Sequence, residues 1–180
     1  MIFEGDNSVI SAIQEKKNLM DQGKEHDHIK PLLIFDGGLM KGAYGVGGAL
    51  AMEEMGLSDV FDNVVGISSG APTAAYFVSG EVATGSEVIW RYCCTRKFLN
   101  VWRFWNQVDT DYFISAIRDS KECALKPDRV LGAHSKLHLG VANFETGKPE
   151  LFSPVSETDL FNTIQASVLM PNVSNDIVHI

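Results

Sequence analysis

The chain has 180 residues, 45 % of them hydrophobic and 21 % charged, and a formal net charge of −8. That is enough chain for one domain with a real core, and the acidic balance argues against nucleic acid as a bulk partner. No apolar run approaches the roughly 18 residues that a bilayer crossing needs.

The opening stretch MIFEGDNSVISAIQEKKNLM carries acids early and no long apolar run, so no signal peptide is read there. Residues 1–30 form a polar extension, with one short amphipathic helix predicted around Ser8–Met20. The domain proper is expected over residues 31–180. LLIF (32–35) reads as a buried strand, and Ala43–Met55 as a helix closed by Gly56. VFDNVVGI (60–67) supplies a second strand, and residues 69–80 a helix with Pro72 in its first turn and Gly80 at its end.

A helical stretch over Gly85–Cys94 and a Trp-rich segment (95–108) follow, and Asp109 is placed to cap a helix over 111–119. KLHLGVANFE (136–145) alternates as a strand does, TGKP turns, and ELFS pairs back. Thr158 is placed to cap a helix running to Ser167, with Pro171 beyond its end. IVHI (177–180) looks like the start of another buried strand, so the sequence is expected to be shorter than the natural folding unit. Strand–turn–helix repeated twice indicates an α/β layer fold with a mainly parallel sheet.

Cys93, Cys94 and Cys123 are odd in number and two are adjacent. That is a poor disulfide framework and suits a reducing compartment, so a cytoplasmic location is expected. No CxxC pair accompanies them, and His134 and His138 flank a strand start, so neither a metal nor another cofactor is expected.

Two turns carry the chemistry. GISSG (66–70) is Gly-x-Ser-x-Gly between an apolar strand and a helix, the context that gives this pentapeptide meaning. Gly66 and Gly70 let the backbone fold tightly, Ser68 stands at the apex, and the amide of Ser69 sits at the helix start beside it. DGGLMKGAYGVGG (36–48) precedes it. As a dinucleotide fingerprint it fails, because Leu39 stands where the second glycine of GxGxxG belongs. As a phosphate loop it fails because Gly42, not Ser or Thr, follows Lys41.

With FDGGLMKG, then VVGISSGAPTAAYFVSG, then ASVLMP (166–171), the chain resembles the patatin-like phospholipase family. LHLGVANFETGKPELF is similar to that family's strand pair before the Ala-Ser block. The resemblance implies an α/β three-layer sandwich with a mainly parallel central sheet. It implies a lipid acyl hydrolase with Ser68 as nucleophile of a Ser–Asp dyad and an acyl-enzyme intermediate. The turn at Gly37, Gly38, Leu39, Lys41 and Gly42 would then be the oxyanion hole, and lipid or fatty-acyl esters the substrates. Leu39 departs from the family's glycine, and a leucine resists positive φ. The family's later Asp-Gly-Gly or Asp-Gly-Ala is not met, since Asp176 is followed by Ile177. The aspartate is expected beyond Ile180. The alternatives are a catalytically inactive relative kept for lipid or partner binding, and a nucleotide-binding α/β domain.

Residues 88–108 hold all three tryptophans and Arg91, Arg96, Lys97 and Arg103, with no acid. One reading is a peripheral membrane contact, cations on headgroups and rings in the acyl region. The reading preferred on sequence is a core-packed helix whose aromatic side chains line the site while the cations face water.

Overall fold

The computed structural model describes residues 6–104, 106–170, 173–174 and 177–180. Trp105, Pro171 and Asp176 lie outside the described residues, as does the start of the stretch read for a signal peptide.

A four-stranded sheet has the order β1 (Leu32–Phe35), β2 (Asn63–Ile67), β3 (Lys136–Ala142), β4 (Pro149–Phe152). The first three strands are parallel and β4 is antiparallel to β3. The first crossover carries α2 (Gly42–Glu54). The second carries α3 (Gly70–Ser79), α4 (Val82–Val88), α5 (Thr110–Asp119) and α6 (Pro127–Leu131), and α7 (Glu157–Val168) follows the hairpin. This is the expected α/β architecture with a mainly parallel sheet.

One core joins the elements. Phe35, Val64, Leu137 and Leu139 of the sheet cluster with Phe77 of α3, Ile117 of α5 and Ile164 of α7. The Phe35 and Phe77 rings meet edge-on at 5.5 Å, a favoured aromatic geometry. Before the sheet, α1 (Asn7–Asp21) is capped by Asp6, whose carboxylate accepts from the Ser8 amide at 2.9 Å. It rests on the domain: Ile13 and Met20 pack on the core, and the buried Lys16 reaches Asp62 at 2.6 Å. A buried ammonium needs such a partner.

Several boundaries follow the expected signals. Asp109 caps α5 by accepting from the Tyr112 amide at 2.9 Å. Gly56 and Gly80 take left-handed φ of +68° and +67° just past α2 and α3. In the β3–β4 hairpin, Asn143 accepts from the amides of Glu145 and Thr146, and Gly147 completes the reversal at φ +66°. Strand β3 ends at Ala142, short of the predicted 145, because this turn begins at Asn143.

Other expectations are corrected. The strand predicted over 60–67 starts only at Asn63, because Val60 closes the preceding turn by donating to the Leu57 carbonyl and ladder pairing to β1 begins at Asn63. LLIF is not buried throughout: Leu32 and Ile34 are 54 % and 55 % exposed. Strand side chains alternate, and a continuous apolar run signals double burial only where both faces are covered. Through the register, Leu32, Ile34, Ile67 and Leu151 fall on the face away from α3, and all four are exposed.

The cap of α7 is Ser156, accepting from Asp159, rather than Thr158. Residues 177–180 form no strand; Ile177 and Ile180 are exposed, and the His179 carbonyl accepts from Asn162 of α7. A strand exists only through ladder bonds, and this segment lies beside a helix instead. The helix predicted from Gly85 begins at Val82 and finishes in a wide π turn at Ile89–Cys93, where the Cys94 amide donates to Ile89 at 3.2 Å. The short helix α6, opened by Pro127, has no counterpart in the expected elements.

Candidate active site

Ser68 follows directly on β2 and precedes α3 with a φ of +53°, the left-handed region. For an L-residue other than Asn or Asp that conformation costs about 1–2 kcal/mol, so its surroundings must impose it. Two bonds do so. The Ser68 amide donates to Ser167 Oγ at 2.9 Å, and the Ser68 carbonyl accepts from the Ala71 amide at 2.9 Å.

The flanking glycines serve a different purpose from the one their spacing suggests. Neither Gly66 nor Gly70 has positive φ; the strained residue is the serine itself. A Cβ on Gly66 would lie 2.7 Å from Ala71 Cα and 2.8 Å from Ala74 Cβ. A Cβ on Gly70 would lie 2.1 Å from the Phe35 carbonyl oxygen. Both glycines therefore allow α3 to close onto the ends of β1 and β2.

The first turn packs on the second. A Cβ on Gly37 would meet Ser68 Cβ at 2.9 Å, and one on Gly42 would meet Ser69 Oγ at 2.9 Å. Gly38 has φ +155° and Leu39 φ +54°, so the leucine does adopt the conformation it resists. The Gly37 amide is engaged by the Asp36 carboxylate at 2.7 Å. Among the described residues, the amides of Gly38 and Leu39 find no protein acceptor. Lys41 ends the short 3-10 turn Leu39–Lys41 with an exposed side chain. Among the described residues, the buried Ser69 hydroxyl finds no protein partner.

Ser68 and Ser69 stand at an apolar cavity of about 370 Å³. Its walls include Val46 of α2, Tyr76 of α3, Val88 of α4, Phe98 and Phe113, together with Val168 at the end of α7. The π turn directs Ile89 and Cys93 to this cavity, while Trp90 is exposed. Burial pushes the Cys93 thiol up to about 12, so it stays protonated and is no rival nucleophile. Burial likewise holds the Tyr76 phenol far above its ordinary value, and its hydroxyl donates to the Cys123 carbonyl.

His138 of β3 is held within the sheet, bonded to Asn63 Oδ1 at 2.9 Å and to Ser153 Oγ at 2.8 Å. Burial, then the charge of Lys136, lowers its pKa.

A strained serine between a close-packed helix and an amide-bearing turn, opening on an apolar cavity, has the parts that acyl transfer requires of a nucleophile and its donors. The family model described as patatin-like phospholipase matches residues 33–174, more than half of the chain. The chain belongs to this patatin-like family. Patatin-like phospholipases are lipid acyl hydrolases, so lipids are the substrate class. A comparison with curated proteins gives no match. Within this patatin-like domain the three sequence blocks converge: the first turn touches Ser68, and Ser167 of the Ala-Ser block bonds it. That last contact had no signal beyond the block itself.

The preferred reading of residues 88–108 is corrected in part. Phe98 lines the cavity, but Trp90 and Trp102 are exposed, the latter at 83 %. With Ile89 and Cys93 turned inward on the π turn, the large ring beside them is left outside.

Proposed function

We propose that this chain hydrolyses carboxylic esters of lipids with Ser68 as nucleophile. The observation that carries the reading is a serine at φ +53° on the wall of a 370 Å³ apolar cavity, with the Gly-rich turn packed against it. In this reading the acyl chain lies along the cavity and its ester carbonyl meets Ser68 Oγ. Oγ adds to the carbonyl carbon, and the oxyanion takes bonds from the unengaged Gly38 and Leu39 amides. Lys41 adds positive potential, screened by solvent, and Gly42 lets the turn approach Ser69. Collapse expels the alcohol and leaves an acyl-enzyme that water cleaves. In this reading an aspartate takes the proton of Ser68 and returns it to the departing alcohol, and the family resemblance supports one in an Asp-Gly pair after the Ala-Ser block.

A fluorophosphonate probe tests this in the protein expressed from its whole reading frame. The expected result is a single adduct on Ser68, lost in Ser68→Ala and kept in Ser69→Ala. Labelling that follows Ser69 instead would move the nucleophile. Lipid binding with no adduct would favour a non-catalytic relative.

The same reading extends to the surface. Leu39, Met40 and Leu99 line the cavity and are also exposed, so they stand at its mouth. Val101 and Trp102 follow Leu99 and are exposed, beside exposed Arg96 and Lys97. An apolar cavity mouth at Leu99, with exposed apolar and cationic side chains close to it in sequence, suits peripheral contact with an anionic lipid surface. Removing one inserted Trp side chain forfeits about 1.5–3 kcal/mol of burial at most. Trp102→Ala should therefore weaken co-sedimentation with anionic phospholipid vesicles by about tenfold, and by no more than about 150-fold. Unchanged partitioning would exclude this face as the contact.

A further inference from the structure

We infer that Ser167 is a positioning residue whose hydroxyl holds Ser68 in its working conformation; this rests on Ser68 being the nucleophile. Ser167 lies in the last turn of α7 and is buried. A helical serine ordinarily returns its hydroxyl to a carbonyl of its own preceding turn. This one points at the sheet. Its Oγ accepts from the Ser68 amide at 2.9 Å and donates to the Gly140 carbonyl of β3 at 2.7 Å.

The placement fits a specific need. β2 ends at Ile67, which pairs with Gly140, and the next residue turns sharply away. At that point the sheet's ladder stops, and the Ser68 amide meets a hydroxyl instead of another strand. One hydroxyl thus joins the end of β2, the middle of β3 and the end of α7 at the residue with positive φ. Without it, a donor and an acceptor would be left unpaired beside the strained turn.

The bond touches the backbone of Ser68 and leaves its Oγ free. Losing it should therefore change where Oγ points, not what the cavity binds. A displacement of about 1 Å at a reacting atom costs on the order of 100-fold in rate.

Threonine and valine are near-isosteric, so Ser167→Thr and Ser167→Val separate the hydroxyl from the volume. With a short p-nitrophenyl ester, the valine form should lose about 100-fold in kcat with KM unchanged within about twofold. The threonine form should stay within about tenfold of the wild type. Fluorophosphonate labelling should slow in the valine form while remaining on Ser68. A merely structural role predicts equal kcat for the folded fraction of both variants. Equal kcat in the two, or wild-type kcat in a folded Ser167→Ala protein, overturns the inference. An active Ser68→Ala protein would instead overturn the nucleophile assignment beneath it, so the two failures are distinguishable.

Discussion

Replacing Ser68 by glycine should abolish ester hydrolysis and at the same time raise the melting temperature. Removing a nucleophile that acts with its partners as a unit costs on the order of 10⁴- to 10⁶-fold in turnover. The stability gain comes from the backbone. At φ +53° an L-residue is strained by about 1–2 kcal/mol. Glycine carries no such penalty there, but it loses more chain entropy on folding, about 0.5–1 kcal/mol. The balance is a gain of up to about 1.5 kcal/mol, or roughly 3–6 °C at most for a chain of this size. Ser68→Ala keeps the strain and should lose the same activity without the gain. Turnover of a p-nitrophenyl ester and a thermal unfolding scan read both effects. A glycine variant that melts below the alanine variant would show that the turn is not strained at Ser68. This is the exchange of stability for activity expected where an active site stores strain.

Two groups of glycines should respond in opposite ways to alanine. At Gly70 the new Cβ would stand 2.1 Å from the Phe35 carbonyl oxygen, a backbone atom at the end of β1. No rotamer relieves that contact, so α3 must move off the sheet and disturb the core beneath it. Overpacking ordinarily costs about 1–3 kcal/mol, and a backbone clash this close should exceed about 4 kcal/mol, a large share of a domain's stability. Gly70→Ala is expected to unfold the chain or leave it insoluble. Gly47 and Gly48 of α2 are exposed, and a Cβ on either meets nothing within 4 Å. Each glycine in a helix interior costs about 0.8–1 kcal/mol against alanine. The double variant Gly47→Ala/Gly48→Ala should therefore gain about 1–2 kcal/mol in urea unfolding. Should Gly70→Ala fold with wild-type stability, the close approach of α3 to β1 would be wrong.

The local order of this chain is legible in its residues because it depends on neighbours in sequence. LLIF and NVVGI are strands, Asp109 caps a helix, Gly56 and Gly80 end two, and the Gly-rich turn and GISSG stand where strands give way to helices. Steric limits at glycine and reciprocal capping operate within a few residues, so sequence alone places them. It also put Ser68 at the apex between two glycines. What those glycines do was decided elsewhere: Gly70 exists for the Phe35 carbonyl and Gly66 for Ala71 and Ala74, contacts that arise only when α3 lies across the sheet. Tertiary structure likewise left Leu32, Ile34 and Trp102 exposed, because burial depends on which element covers a side chain and not on its own hydrophobicity. Ser167 meets Ser68 from 99 residues away. No periodicity links residues so distant; the bond exists because α7 and β2 pack on the same strand, and only the packed chain brings the two serines together.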